Sequence, residues 1–337
     1  MTIHFYLKYD TEFGQDLRLN IIGGAPSETT YYGMTTGDGR TWQCDIEMAK
    51  IPERIDYFYS LDNSGREERH EWQTITHRLE LNATKAKEYT VYNSWTDIPY
   101  DSYLYSSAFT DCVNRRHHES LPKSEYDKTL RLIVRAPQLR KGDHLYIAGE
   151  SSCLGNWHTD RALKMYEHNY NEWVADLDIE AFKEKVAELK FIATTDNGDV
   201  LWETGFNRKI EIPELKKGEA CVYDMDQAFF EICDTKLAGT LVPVFSLRTK
   251  GSFGVGDFGD LKMMIDWVAE TKQKVLQVLP INDTTSTHTW TDSYPYSCIS
   301  VFALHPQYAD LRQLPQIADK KKATEFEALR KELNELK

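Results

Sequence analysis

Two tryptophans stand where an indole ring could contact a ligand. The run Leu154-Gly-Asn-Trp157 places one of them in a Gly/Asn turn directly after a predicted strand, and Trp202 lies at a predicted strand start, ahead of Glu203. A tryptophan in a turn cannot easily enter a β core. A flat indole can instead stack on the apolar face of a sugar ring and bury a large area with little loss of entropy. The alternative is that both side chains only pack; we favour ligand stacking.

Polar residues close to these tryptophans in the sequence could bind sugar hydroxyls. Lys190 lies between two apolar residues of a predicted strand, so it points outward if they point inward. Glu203 and Asn207 would supply the remaining hydrogen bonds. The predicted binding set is therefore Trp157, Lys190, Trp202, Glu203 and Asn207.

Composition restricts the classes of ligand and the cellular setting. The 337 residues have a formal net charge of −13, which disfavours nucleic acid and is compatible with a neutral polysaccharide. No stretch approaches 18 apolar residues and the start lacks a basic signal region, so we expect no membrane partner and a cytoplasmic location. Six cysteines are scattered without metal-ligand spacing, which predicts free thiols, no metal and no cofactor.

An internal repeat organises the first two thirds of the chain. Four pairs of segments are similar at offsets of 128 to 132 residues, which indicates two domains of about 100 residues each. The pairs are Gly14–Leu19 with Gly142–Ile147, Trp42 with Trp173, Asp56–Tyr59 with Glu188–Phe191, and Glu71–Arg78 with Leu201–Arg208.

Both repeat units are predicted to be antiparallel β-sandwiches. Apolar residues alternate with polar ones, as where Leu130, Leu132 and Val134 alternate with Arg131 and Arg135. We expect a first sandwich over residues 1–99, an ordered linker over 100–127 and a second sandwich over 128–233, each sandwich with its own core. The basic run 115–118 in the linker is interpreted as a solvated loop.

The pattern changes after residue 233 to that of an α/β domain. Gly239–Ser246 and Lys274–Pro280 are predicted as two continuous buried strands, with a helix between them. A final amphipathic helix is predicted from Asp319. Gly254–Gly259 matches the dinucleotide pattern G-x-G-x-x-G. We reject nucleotide binding because six residues separate the strand end, near Leu247, from the first glycine, and because Asp257 would place a carboxylate beside the pyrophosphate.

The second sandwich resembles a known family of starch-binding domains. The runs Gly149–Trp157, Glu188–Phe191 and Trp202–Arg208 are similar to carbohydrate-binding module family 20, over roughly residues 128 to 232. This resemblance implies an immunoglobulin-like sandwich whose main glucan site is formed by the two tryptophans, the lysine and the asparagine. Tyr166 and Tyr170 fall in the region of the family's second sugar site.

The first sandwich is a degraded copy of the second. The repeat aligns Trp72 with the second tryptophan of the site and replaces the site lysine and asparagine by Phe58 and His77. Tyr31 or Tyr32 could stack in place of the missing turn tryptophan. The alternative, a mainly structural module, stays open. His77 is predicted to be a hydrogen-bonding residue and not a ligand-binding one.

The third segment resembles the start of a glycoside hydrolase family 77 glucanotransferase. The matching runs are Val242–Ser246, Gly254–Phe258, Leu279–Asp283, Asp292–Ser297 and Val301–Pro306. The resemblance implies the beginning of a (β/α)₈ TIM barrel over residues 234–337. It also implies retaining transglycosylation, in which a sugar hydroxyl replaces water as the acceptor. The family's catalytic carboxylates lie on later strands, so no catalytic residue is expected in this chain.

One turn of this segment is expected to form a wall of the family's active site. Tyr296 matches the tyrosine that lines the pocket, and Asp292 and Ser293 belong to the same turn; the alternative is that all three only shape a loop. The resemblance as a whole implies a 4-α-glucanotransferase that acts on starch, glycogen or malto-oligosaccharides. The alternatives are a non-enzymatic glucan-binding protein and an α-amylase-type hydrolase.

Overall fold

The computed structural model describes residues 1–23, 28–114, 121, 123–169, 171–232 and 237–335. The chain forms two compact units, residues 1–233 and residues 234–337. The basic run 115–118 and Tyr170 lie outside the described residues, as does Cys233, one of the six cysteines.

The first unit is built almost entirely from β-strands. Its first half contains β1 (Thr2–Lys8), β2 (Gln15–Ile22), β3 (Thr30–Gly33), β4 (Thr35–Thr36), β5 (Thr41–Glu47), β6 (Arg54–Asn63), β7 (Arg66–His70), β8 (His77–Glu80) and β9 (Glu88–Ser94). Its second half contains β10 (Lys128–Arg135), β11 (His144–Gly149), β12 (Leu163–Lys164), β13 (Tyr166–His168), β14 (Glu172–Asp178), β15 (Val186–Thr194), β16 (Val200–Trp202), β17 (Arg208–Glu211) and β18 (Glu219–Asp224). Short helical turns lie between them at Ser102–Tyr105, Ala108–Val113, Ser152–Leu154, Thr159–Arg161 and Ile179–Ala181.

One continuous sheet joins the two halves of this unit. This central sheet has eight strands in the order β13-β14-β10-β18-β9-β1-β5-β4, and the halves meet where β18 pairs in parallel with β9. A first outer sheet contains β3-β2-β6-β7 with β8 on β6, and a second outer sheet contains β12-β11-β15-β16 with β17 on β15. Each half therefore has its own core, and the two cores share the central sheet.

The two outer sheets cover opposite faces of the central sheet. Along β18, Cys221 packs in the core beneath the second outer sheet, whereas its neighbours Ala220 and Val222 pack in the core beneath the first. Successive side chains of a strand point to opposite faces, so the alternation assigns one outer sheet to each face.

This arrangement buries charged residues that alternation alone places on a polar face. Arg131 and Arg135 are both buried, although they alternate with the apolar residues of β10 as predicted. Arg131 donates to both carboxylate oxygens of Asp176, each at 2.8 Å. The same face carries the apolar residues Ile133 and Val222, and it does not meet solvent because the first half of the unit covers it.

A buried ionic network crosses the boundary between the halves. The His77 ring lies with Nδ1 2.6 Å from Asp224 Oδ2 and Nε2 3.0 Å from Glu71 Oε1. Arg135 Nη1 donates to Asp224 Oδ1 at 3.3 Å, and Asn93 is also within hydrogen-bonding distance of this carboxylate. The prediction that His77 is a hydrogen-bonding residue agrees with these contacts, which link β8 to β18.

We expect the stability of this unit to fall at alkaline pH. Burial alone would lower the pKa of His77, but the charges of Glu71 and Asp224 and their hydrogen bonds raise it to about 9. A raised pKa means that the stabilisation is fully present below the unfolded value of about 6.5 and is lost as pH rises through 9. Urea unfolding at several pH values should show this loss in the wild type and little of it in His77→Gln. Identical pH profiles for the two proteins would contradict the assignment.

The second unit contains a small β-α-β unit and a terminal helix. Its elements are β19 (Gly239–Leu241), α1 (Phe258–Glu270), β20 (Val275–Gln277) and α2 (Lys320–Glu335), with short helical turns at Val244–Ser246, Trp290–Ser293, Pro306–Tyr308 and Leu311–Gln313. β19 and β20 pair in parallel. Across residues 237–335 these are the only paired strands besides one isolated bridge, so the described residues do not themselves establish a barrel. Neither described helix is long and apolar enough to cross a membrane.

The predicted continuous strand over Gly239–Ser246 is wrong. The strand ends at Leu241, and Pro243 precedes a helical turn over Val244–Ser246. Proline has no N–H to donate to a sheet ladder, which is a physical reason for the early end. The paired strands are also partly exposed and not buried on both faces.

Carboxylates occupy the start of α1. Asp257 caps the helix and forms a capping box with Asp260, and Arg312 forms ion pairs with both. A Cβ on Gly256 would lie 1.9 Å from the carbonyl oxygen of Val244, so this glycine permits close backbone packing. The carboxylates fill the helix start where a pyrophosphate would bind, in agreement with the rejection of a dinucleotide site.

We expect the second unit to be the less stable one. Two paired strands of three residues each give little independent stability, and large apolar side chains such as Phe302 and Leu241 are exposed. Limited proteolysis with mass analysis should cut first after about residue 235 and leave a resistant fragment of residues 1–233. Protection of residues 239–306 in a monomer would contradict this expectation.

Candidate functional site

Trp157 and Trp202 lie together on the surface of the second half. Their ring centroids are 6.3 Å apart and the ring planes are inclined by 40°. The Trp202 side chain is 40% exposed and Trp157 is partly exposed. Two inclined indoles with free surface form a curved aromatic platform.

A left-handed turn sets the position of Trp157. Gly155, Asn156 and Trp157 all have positive φ, and the Trp157 amide donates to the Gly149 carbonyl oxygen at 2.7 Å. A Cβ on Gly155 would lie 2.7 Å from the carbonyl oxygen of Arg161, so glycine is required there. The preceding Leu154 is fully buried and anchors the turn in the core.

Lys190 and Asn207 link the loop that follows Trp202 to β15. Lys190 Nζ donates to the Gly205 carbonyl oxygen at 2.7 Å, and Asn207 Nδ2 donates to Glu188 Oε2 at 3.3 Å. Lys209 also binds Glu188, and hydrogen bonds from Lys209 and Asn207 lower the pKa of this carboxyl.

The strand register places Lys190 and Trp202 on the same sheet face. Trp202 is the register partner of Ile192, two residues beyond Lys190, so the three side chains share a face of the second outer sheet. Leu189 and Phe191 belong to the core on the other face. We call Trp157, Lys190, Trp202 and Asn207 the aromatic platform.

Glu203 is a correction to the predicted binding set. It is 3% exposed, and its Oε1 accepts a hydrogen bond from the Phe191 amide at 2.9 Å. Arg208 donates to both of its carboxylate oxygens. Glu203 therefore fixes the loop from inside and does not face a ligand.

The structure also corrects the alignment of the repeat at Trp72. Glu71 Oε2 accepts from the Tyr59 amide at 2.7 Å, the same contact that Glu203 makes with Phe191. The structural equivalent of Glu203 is thus Glu71, at an offset of 132 residues.

This equivalence changes which residues of the first half correspond to Trp202 and to Asn207. The residue equivalent to Trp202 is His70. Trp72 is equivalent to Thr204, because the two amides make matching hydrogen bonds. The Trp72 amide donates to the Thr96 carbonyl oxygen, and the Thr204 amide donates to the Phe229 carbonyl oxygen. His77 pairs with Tyr57 in the sheet as Arg208 pairs with Leu189, so it does not correspond to Asn207.

Within the described residues of the first half, Trp72 therefore does not belong to a second copy of the platform. The Trp72 ring meets Tyr105 of the linker edge-to-face at 5.3 Å. Tyr31 is exposed on β3 with the Arg18 guanidinium 5.1 Å from its ring centroid, and Tyr32 packs against the core of the first half.

The predicted wall residues lie in an exposed loop of the second unit. Asp292 accepts hydrogen bonds from the hydroxyl and the amide of Thr287 and from the amide of His288. These bonds lower the pKa of the Asp292 carboxyl, and the bond from the Thr287 hydroxyl contributes most. Ser293 Oγ donates to the Trp290 carbonyl oxygen at 2.7 Å. Tyr296 is exposed and its ring packs against Tyr294 at 5.5 Å. Asp292 organises the loop, and Tyr296 presents an accessible ring.

Two family models match separate parts of the chain and confirm both family resemblances. Residues 129–222 match the starch binding domain of carbohydrate-binding module family 20. Residues 242–337 match the 4-alpha-glucanotransferase family, glycoside hydrolase family 77. The aromatic platform lies within the first of these matches. Across the described residues, no group of three or more His, Cys, Asp or Glu is placed to hold a metal ion.

Curated relatives include proteins named as glucanotransferases. The chain is 35% identical over 189 residues to 4-alpha-glucanotransferase DPE2 of Oryza sativa subsp. japonica, covering 56% of this chain and 20% of that protein. It is 47% identical over 77 residues to a 4-alpha-glucanotransferase of Chlamydia trachomatis, covering 23% of this chain and 14% of that protein. The chain thus spans a fifth or less of the length of these relatives.

Among solved structures, the family 20 module of a maltotetraose-forming amylase from Pseudomonas saccharophila is similar to part of this chain, with 19% sequence identity. The match covers 28% of this chain and 98% of that one, with a TM-score of 0.23.

Proposed function

We propose that this chain binds α-1,4-glucan through the aromatic platform and forms the front part of a 4-α-glucanotransferase. The observation that supports glucan binding most strongly is the paired Trp157 and Trp202, held 6.3 Å apart on an accessible sheet face inside the segment that matches a starch binding domain. The site residues are Trp157, Lys190, Trp202 and Asn207.

The chemistry of the platform suits a neutral polyhydroxylated chain. Two indoles inclined by 40° can stack on successive rings of a curved glucan, and aromatic rings bind the apolar sugar faces. Lys190 has three N–H donors and its described contact uses one, on Gly205, so it can also donate to sugar hydroxyls. The net charge of −13 disfavours a polyanionic ligand.

The domain organisation follows from the same proposal. Residues 1–99 and 128–233 would be immunoglobulin-like starch-binding sandwiches, with a linker over 100–127. This division is compatible with β9 ending at Ser94 and β10 beginning at Lys128. Residues 234–337 would begin a (β/α)₈ barrel, supported by the family match and the β-α-β unit.

The proposed reaction is retaining transfer of glucan segments between starch, glycogen or malto-oligosaccharides. The turn with Asp292, Ser293 and Tyr296 would form one wall of the active site, supported by the accessible Tyr296 ring. We further propose a cytoplasmic location, for which the free thiols of the five described cysteines are the support.

The test is to compare binding with turnover in the 337-residue protein. Because the proposal assigns it a glucan platform but no catalytic carboxylates, the purified protein should bind maltoheptaose and leave maltotriose unchanged. Calorimetry measures the first and chromatography of the sugars the second. Absence of maltoheptaose binding would contradict the platform; release of glucose with formation of longer oligosaccharides would contradict the placement of the catalytic residues.

A further inference from the structure

A cavity at the boundary between the two halves of the first unit has no role in the proposed function so far. It has a volume of about 180 Å³ and opens to solvent. Its aromatic walls come from Trp72, Trp95, Tyr105 and Phe229, and Arg135 and Asp226 also line it. We call it the seam pocket, because the first half, the linker and the second half all contribute to it.

The seam pocket is separate from the aromatic platform and from the position in the first half that corresponds to Trp202. Trp72, which lines the pocket, is the structural equivalent of Thr204, as the shared backbone contacts show. The position equivalent to Trp202 is His70 and is not part of the lining. The pocket is therefore not the repeat of the platform.

Arg135 forms a charged part of the pocket wall. It is 4% exposed, and its Nη1 atom donates to Asp224. Nη2 lies 3.9 Å from Glu172 Oε2, an ion-pair distance that is too long for a hydrogen bond. Nε and Nη2 are buried, so the guanidinium lies behind the surface of the pocket and stabilises the wall through its ion pairs.

Charge around the pocket selects a neutral ligand. Asp224 and Glu172 compensate the Arg135 guanidinium, and the exposed carboxylates of Asp97 and Asp226, which line the pocket, pair with Arg69 and Arg208. Each of these charges thus has a partner of opposite sign, so the pocket offers an ionic ligand no uncompensated group. Ligand hydroxyls can donate to the remaining lone pairs of the Asp97 and Asp226 carboxylates, so the polar groups suit a polyhydroxylated molecule.

The volume limits the ligand to one ring. A cavity of about 150 Å³ accommodates benzene, so about 180 Å³ admits a single six-membered ring. Trp72 and Tyr105, in edge-to-face contact at 5.3 Å, supply aromatic surface for the apolar face of such a ring.

We propose that the seam pocket binds one neutral hexose ring, as free glucose or as the terminal unit of a malto-oligosaccharide. The choice of glucose as the hexose rests on the proposed function. The platform would bind internal stretches of a glucan, and the seam pocket a chain end or the free sugar.

The experiment uses glucose and maltoheptaose with the 337-residue protein, followed by NMR of the tryptophan indole N–H groups. Saturating glucose is expected to shift the signals of Trp72 and Trp95, and Trp72→Ala to weaken glucose binding at least tenfold. Ile75→Phe narrows the pocket without removing an aromatic ring and should have the same effect; it serves as the second variant if Trp72→Ala fails to fold. Trp202→Ala should weaken maltoheptaose binding and leave the glucose affinity unchanged.

Three results would overturn the seam pocket: no shift of Trp72 and Trp95 at saturating glucose, glucose binding retained by folded Trp72→Ala and Ile75→Phe, or tighter binding of glucose 6-phosphate than of glucose. Failure of the platform has a different signature, since it would show as maltoheptaose binding that Trp202→Ala does not change.

Discussion

Asp224→Ala is expected to lower the free energy of unfolding of the first unit by about 3–5 kcal/mol, the usual effect of removing one partner of a buried ion pair. Asp224 is 3% exposed and lies between the positive groups His77 and Arg135. Without this carboxylate both cations lose a partner in a buried setting. Because the network spans β8, β10 and β18, the loss affects the boundary between the halves.

Chemical denaturation measures this effect, and the matched control is Asp45→Ala. Asp45 also pairs with a histidine, His4 Nδ1 at 2.7 Å, but its side chain is 69% exposed. Exposed pairs contribute about 0–1 kcal/mol, so the control should differ little from the wild type. Equal destabilisation by the two substitutions would show that the buried network does not hold the halves together.

Trp157→Ala and Trp202→Ala are each expected to weaken glucan binding by about 2 kcal/mol, roughly 30-fold, as for aromatic anchors in other interfaces. Each substitution removes one of the two rings of the platform and leaves the other to bind alone. Calorimetric titration with maltoheptaose measures the change.

Phe13→Ala is the control for these titrations, because Phe13 is a fully exposed aromatic residue of the first half. It should retain wild-type affinity. Trp72→Ala should weaken maltoheptaose binding less than either platform substitution. Loss of binding in Trp72→Ala with full binding in Trp202→Ala would reverse the assignment of the main site.

For Trp157 and Lys190, the local sequence pattern was enough to predict a side chain that faces away from the core. A tryptophan in a Gly/Asn turn and a lysine between core residues each have a local signature, because strand alternation decides which side chains point outward. From the sequence, the polar side chain of Glu203 was also expected to face outward. Its burial depends on Arg208 and the Phe191 amide, contacts that only the folded loop defines.

The relation between the halves could not be predicted in this way. Alternation along β10 separates Arg131, Ile133 and Arg135 from Leu130, Leu132 and Val134 but does not say what covers each face. The cover arises from the parallel pairing of β9 with β18, whose partners lie 131 residues apart in the chain. The sequence contains no local signal for such a pairing.

The repeat shows how residue identity can mislead an alignment. The first copy contains Glu71-Trp72 and the second Trp202-Glu203, so matching the tryptophans shifts the alignment by two residues. The buried glutamates make equivalent backbone contacts and set the true register. Both copies keep this contact, which fixes the loop. The exposed position differs between the copies, with Trp202 in the second and His70 in the first.

The most direct test of the central claim, that the aromatic platform is the glucan site, is an NMR titration of the indole N–H signals with maltoheptaose. We expect the signals of Trp157 and Trp202 to shift together along one saturation curve, while those of the buried core residues Trp42 and Trp173 stay in place. Saturable binding of maltoheptaose with Trp157 and Trp202 unshifted would contradict it.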